Sequence, residues 1–297
     1  MRTTVIGSYP LRYEELGGRA IERAVEEQIS AGVDLVSDGQ TRADMVSVYA
    51  GVLEGVELRP VPGSSERKLH IVGKVALKDP SIFVDDHLLA EKTASGRAEV
   101  KAVLTGPATL AFSSVLDTRG YSGYRDPALF ADLSGALLGI ARELQKAGAR
   151  HFQIDEPFFS VGVPMELAQE AVESIATGLQ GEVALHVCGD VSKVFDSLLG
   201  FRGVRVLSHG FAGTPANLAL VSRGKLERAG KVLGFGCVDS ASEAVEDQGT
   251  VIGLLQLGMR LAGKTGLVVH PDCGLRALPR DVARAKLEVM CRAARSV

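Results

Sequence analysis

Short apolar runs, many of them β-branched, alternate along this chain with longer amphipathic stretches, the signature of repeated strand–helix units feeding a parallel sheet. Eight runs read as strands, near residues 3–8, 33–37, 100–104, 151–155, 182–187, 204–208, 231–236 and 267–271, and eight is the number a (β/α)8 barrel requires. Between them, apolar positions over 19–31 recur every three and four residues. Over 126–147, Leu129, Leu133, Leu137, Ile140 and Leu144 form one stripe behind an Asp126-Pro127 helix start. Further helices are predicted near 163–178, 192–200, 214–229, 241–262 and 279–295. Pro164, Pro215 and Pro279 sit near three of their starts, where a missing N–H costs little. Residues 52–98 break the rhythm: 56–62 and 68–75 read as a hairpin joined by Gly63-Ser64-Ser65-Glu66-Arg67. The expectation is one α/β domain over 1–297, a single TIM barrel with a β-hairpin excursion after strand 2 carried in the 52–98 insertion.

Composition narrows the class. A chain of 297 residues, 46% hydrophobic, can bury a large core and fits one α/β barrel or two smaller domains; length alone does not choose. With 33 Lys and Arg against 36 Asp and Glu, the net charge of −3 gives no basic surface for nucleic acid. No segment approaches the ~18 uninterrupted apolar residues of a membrane span, and the first residues carry no apolar signal core, so a cytoplasmic protein is expected. The cysteines at 188, 237, 273 and 291 read as thiols of a reducing compartment. Cys291, in the last helix, reads as structural, and Cys237 as a small strand residue with a reserve-ligand role left open.

The candidate chemistry collects where predicted strands end. Those ends read Gly7-Ser8, Asp38-Gly39-Gln40, Thr105-Gly106-Pro107, Asp155-Glu156-Pro157, His186-Val187-Cys188-Gly189, Ser208-His209-Gly210, Val238-Asp239 and Asp272-Cys273-Gly274. In a barrel the C-terminal strand ends face one cavity, so the pattern points to an enzyme. The same residue types also punctuate turns for conformational reasons, and for Thr105-Gly106-Pro107 both readings stand. His186, Cys188 and Cys273 form a divided set of soft donors. A neutral imidazole and two thiolates suit Zn²⁺, and three protein ligands leave a position for substrate. The bland alternative is two buried cysteines and a satisfied histidine. At least one of the adjacent carboxylates Asp155 and Glu156 is expected to face the barrel mouth, and Asp155 is the candidate anion for an ammonium group. His209 and His270 read as structural.

In this order, the pieces Ile6-Gly7-Ser8-Tyr9-Pro10, Asp38-Gly39-Gln40 with Arg42 and Asp44-Met45-Val46, Thr105-Gly106-Pro107-Ala108-Thr109, Gln153-Ile154-Asp155-Glu156-Pro157, His186-Val187-Cys188-Gly189, Gly234-Phe235-Gly236-Cys237-Val238-Asp239 and Pro271-Asp272-Cys273-Gly274-Leu275 resemble the catalytic C-terminal barrel of cobalamin-independent methionine synthases. The resemblance spans nearly the whole chain. It implies zinc on His186, Cys188 and Cys273, and L-homocysteine with its amino group on Asp155 and its carboxylate on Ser8 and the backbone of Ile6. Gln40 falls where the family usually has Glu, so the resemblance implies a contact with the amino acid that is weaker electrostatically.

Three departures bear on the donor. The chain begins directly at the catalytic barrel, without the family's folate-binding N-terminal half. Ala241 occupies the place of a histidine thought to protonate the folate leaving group. Gly210 stands where the family's glutamate zinc ligand falls, which leaves the fourth resting ligand open. Methylfolate needs its leaving nitrogen protonated, whereas cob(I)alamin leaves without a proton. The implied donor is therefore methylcobalamin or a methylated corrinoid protein, as in the short, core-only methionine synthases. Methylfolate as donor, another acceptor thiol such as coenzyme M, and a non-enzymatic zinc- or corrinoid-binding regulator are the rival readings.

Overall fold

The computed structural model describes residues 1–64 and 66–297, so Ser65 of the predicted hairpin turn lies outside the described residues. The barrel strands are β1 (Arg2–Thr3), β2 (Leu35–Val36), β3 (Glu99–Thr105), β4 (His151–Asp155), β5 (Glu182–His186), β6 (Val206–Gly210), β7 (Val232–Gly236) and β8 (Leu267–His270). They are hydrogen-bonded in the order β1-β8-β7-β6-β5-β4-β3-β2 with every pair parallel. A parallel bridge between Thr4 and Leu35 joins the first strand to the second and closes the ring. The predicted TIM barrel is what the chain forms.

Register places the chemistry. Thr105, Asp155, His186 and Ser208 are side-by-side partners across four neighbouring strands. Residues paired in this way project to the same face of a sheet, so one row of polar groups forms around the barrel interior.

The helices follow the apolar spacing where it is regular. Arg19–Ala31 buries Ala20, Ile21, Ala24, Val25, Gln28 and Ala31, and Pro127–Lys146 starts behind Asp126, whose side chain accepts from the N–H of Ala128. Gln28 bonds both backbone groups of Ser37, and the Ser37 hydroxyl donates to Gly7 O at 2.9 Å. This ties the loops after β1 and β2, which carry Ser8 and Gln40, to one helix.

Other elements differ from the expectation. The stretch predicted as one helix over 214–229 is broken into a 3₁₀ turn, Pro215–Leu220, and a helix, Arg223–Ala229, with Ser222 capping the second. The predicted 241–262 helix starts only at Gln248, where the Asp247 side chain accepts from Gly249 and Thr250. The predicted 192–200 helix shrinks to Phe195–Leu198. Within 52–98 the excursion is narrower than expected. Leu53–Pro60 pairs antiparallel with Arg67–Leu77, and Val115–Leu116 adds a parallel third strand. The helix that follows, Ser81–Ala94, leads into β3, so it is the ordinary connection between barrel strands.

The Asp155-Glu156 pair resolves into two roles. Asp155 ends β4 and faces the cavity, whereas Glu156 turns to the start of the helix Pro107–Ser113. Glu156 Oε1 accepts from Ala108 N at 2.9 Å, and Oε2 accepts from Thr109 N at 2.8 Å and Thr109 Oγ1 at 2.6 Å. A carboxylate there meets the orphan amides and the positive end of the helix. Burial pushes the Glu156 carboxyl up to about 7, and these donors pull it down. A Cβ at Gly106 would lie 2.3 Å from the Glu156 carboxyl, so glycine is required. The Thr105-Gly106-Pro107 segment thus has a structural reason beside any functional one. Glu156→Ala leaves two buried N–H groups unpaired, and an expected loss of about 3 kcal/mol in urea unfolding checks the assignment; a change under about 0.5 kcal/mol contradicts it.

Candidate metal and substrate site

Two strand ends deliver the three soft donors. His186 is the last residue of β5, Cys188 follows two residues later before the left-handed Gly189, and Cys273 lies three residues past β8. Their ligand atoms all lie within 4.8 Å of one another. His186 Nε2 is 2.9 Å from Cys188 Sγ, which is 2.8 Å from Cys273 Sγ. A histidine and two cysteines so gathered match in number and chemistry the donor set of a zinc site with an open position.

The protonation pattern describes a site organised around one negative sulfur. Hydrogen bonds from Cys188 and His186 pull the Cys273 thiol down to about 4. Cys188 moves well above the usual thiol range because it donates to Cys273 and is buried. Burial lowers the His186 pKa, but the hydrogen bond and charge of Cys273 outweigh it and the net movement is upward. The cluster therefore already places one anionic sulfur where a cation would sit.

A cavity of about 280 Å³ opens over the cluster, lined also by Ile6, Ser8, Gln40 and Asp155. All the residues singled out as metal or substrate contacts thus come together. Burial pushes the Asp155 carboxyl up to about 6, against the pull of His186, Gln153 and Lys101. Gln153 Nε2 donates to Asp155 Oδ1 and Ile6 O, both at 2.6 Å, while the buried Lys101 ammonium donates to Gln153 Oε1 and Val5 O. Gln40 sits at φ +47, its carbonyl held by Arg276, which also lines the cavity.

Lys101, Gln153 and Arg276 were not singled out as site residues. A lysine inside a predicted apolar strand, at the face of Val103 and Thr105, is the signal that could have found the first.

Other strand ends do not converge on the cavity. His209 turns outward, its ring edge-on to Phe195 and its Nδ1 at 3.2 Å from Val187 O. Cys237 and Cys291 are buried outside the cluster. A side chain at Gly210 would start 3.0 Å from Asp272, which already fills that space. The Asp272 carboxylate accepts from the backbone N–H groups of Phe211, Ala212 and Gly213, and so is committed to the end of β6. Among the described residues no fourth protein donor joins the three. His270 is a buried, hydrogen-bonded histidine outside the donor cluster, as expected, with its Nε2 2.9 Å from Ser208 Oγ.

Comparison with known proteins agrees with this geometry. Residues 4–296 match the family described as cobalamin-independent synthase, catalytic domain. The chain is 40% identical to a methionine synthase of Methanothermobacter thermautotrophicus, with 99% of each chain covered. It is 34% identical to one of Methanocaldococcus jannaschii, covering 100% of this chain and 99% of that protein. A B12-independent methionine synthase from Shewanella sp. W3-18-1, solved in complex with selenomethionine, superposes with a TM-score of 0.83 at 25% identity over 99% of this chain and 96% of that one.

The thiolate assignment has a direct check. In protein stripped of metal, iodoacetamide is expected to modify Cys273 as fast at pH 6 as at pH 8, and added Zn²⁺ to block the reaction. A rate that climbs tenfold per pH unit up to pH 8 means an ordinary thiol and contradicts it.

Proposed function

Because the chain belongs to the family of cobalamin-independent synthases, as their catalytic domain, we propose that it methylates the thiol of L-homocysteine to give methionine, using Zn²⁺ held by His186, Cys188 and Cys273. The observation that carries this reading is the gathering of three soft donors within 4.8 Å at the edge of a cavity whose wall holds Asp155. The names of the relatives as methionine synthases, and a methionine analogue bound in the Shewanella protein, support the choice of acceptor.

When bound, Zn²⁺ supplies a Lewis-acidic position that keeps an incoming thiol ionised near neutral pH, where a free thiol with a pKa of about 8.5 is mostly protonated. The protein's own groups orient the acceptor. Asp155, aimed by Gln153 and compensated by Lys101, holds the ammonium. Ser8 and the backbone of Ile6 hold the carboxylate, and Gln40 adds an uncharged amide contact. The thiol proton passes to water. A sulfur electron pair forms the S–CH₃ bond as the methyl–donor bond breaks, and the electrons of that bond leave with the donor. Methionine, a neutral thioether, then departs. An acceptor thiol without an ammonium, such as coenzyme M, would leave the Asp155 carboxylate in a buried wall with no substrate cation to meet it, which favours the amino acid.

For the donor we propose methylcobalamin or a methylated corrinoid protein, on one local ground. Ala241, on the loop after β7, offers no proton to a leaving group, and cob(I)alamin needs none. The family's description as cobalamin-independent and the Shewanella protein's as B12-independent count against this choice.

Zinc-loaded protein given homocysteine is expected to form methionine, detected by mass, and Cys273→Ser to lose metal and turnover together; full zinc content in that variant rules out the ligand assignment. Offered methylcobalamin, a methylated corrinoid protein and methylfolate in parallel, the enzyme is expected to use a corrinoid. Turnover with methylfolate alone removes the donor proposal and leaves the zinc reading standing.

Asp155→Asn is expected to raise KM for homocysteine roughly 10- to 100-fold, the value of a charge-assisted contact. In the unaltered protein, homocysteine binding should weaken as pH falls through about 6, because protonation there removes the anion that the ammonium needs. A KM independent of both the substitution and pH removes Asp155 from the site.

A further inference from the structure

Below the cavity, a buried hydrogen-bond chain runs from β8 across β7 to β6 and on to β5. His270 Nδ1 is 2.6 Å from Pro271 O, His270 Nε2 is 2.9 Å from Ser208 Oγ, and Ser208 Oγ is 3.0 Å from His186 Nδ1. All three side chains are at most 2% exposed.

The chain has one consistent direction. A carbonyl oxygen only accepts, so His270 Nδ1 carries a proton. The buried His270 ring meets a carbonyl and a hydroxyl and no carboxylate that would hold a second proton, so it is neutral and its Nε2 is a bare acceptor. The Ser208 hydroxyl must then donate to His270, which turns an oxygen lone pair toward His186. His186 can meet that lone pair only with a proton on Nδ1, so the proton it shares with the sulfurs of the metal-free cluster sits on Nε2, the nitrogen that must be bare to take the ion.

The path exists because β7 carries glycine where the chain crosses it. Gly234 is the register partner of Ser208, and a Cβ there would lie 2.8 Å from His270 Nε2 and 2.9 Å from Ser208 Cβ. Any side chain at 234 would occupy the gap.

We propose that His270 and Ser208 are positioning residues that lock the His186 imidazole with its proton on Nδ1, and that Gly234 keeps open the passage they need. The inference rests on the zinc reading above and concerns how His186 is prepared for the ion. A ligating histidine held by a partner on its other nitrogen keeps both tautomer and ring orientation, and loss of such a partner typically weakens metal binding about 10- to 100-fold.

Chelator competition for Zn²⁺ and ¹⁵N spectra of histidine-labelled protein test it on Ser208→Ala and on Gly234→Ala, which keeps every polar group. Both variants are expected to bind one Zn²⁺ per chain about 10- to 100-fold more weakly than the unaltered protein, unlike Cys273→Ser, which should bind none. In metal-free Ser208→Ala the His270 Nε2 resonance should move to the position of a nitrogen without a donor. Unaltered Zn²⁺ affinity together with an unmoved His270 Nε2 resonance overturns the proposal, even if Gly234→Ala does not fold. Failure of the unaltered protein to bind Zn²⁺ at all would instead sink the zinc reading, and the metal-free spectra would still decide whether Ser208 donates to His270.

Discussion

Two sulfur atoms belonging to residues 85 positions apart lie 2.8 Å from each other beside an imidazole nitrogen, and the rest of the site is arranged around that crowding. One sulfur takes the negative charge, and a hydrogen from Cys188 and another from His186 compensate it. A dication between the same donors offers stronger compensation, in surroundings where charges are poorly screened. Asp155 brings a carboxyl to the cavity wall; burial pushes it and Lys101 toward their neutral forms, and each pulls the other back toward its charged form.

Such a polar interior is costly unless nearly every group is paired, and the barrel supplies the partners through register. Parallel strands put Asp155, His186 and Ser208 in one row, so each polar side chain meets another at a fixed height. The Gly234-Phe235-Gly236 strand supplies what register alone cannot. Its two glycines let groups from the β8 side reach β6 over its top: His270 crosses at Gly234 to Ser208, and Asp272 crosses at Gly236 to the amides of Phe211, Ala212 and Gly213. Phe235 meanwhile turns outward and stacks on Phe211 at 4.4 Å. One short segment thus serves both the polar interior and the apolar layer outside it.

Asp155 and Glu156 show why adjacent residues of one chemistry need not share a job. Alternation along a strand sends them to opposite sides. One side is a cavity where a carboxylate can meet an ammonium, and the other is a helix start whose free amides need an acceptor. A charge on either side is stabilised by different partners, so one residue faces the cavity and the other serves the scaffold.

The sequence by itself determined the eight strands, the closed barrel, the hairpin after the second strand and the identity of the soft donors. Those features follow from local periodicity and from residue type at strand ends, which a linear reading can see. The helix predicted over 214–229 marks the limit, because local spacing does not reveal that Ser222 caps a new start. Only the tertiary structure decided that Glu156 caps a helix, that Lys101 and Gln153 stand behind Asp155, that Asp272 fills the space beside Gly210, and that His270 reaches His186 through Ser208. Each of these depends on which strands become neighbours and on how wide a gap a missing side chain leaves between them, distances that exist only once the ring has closed.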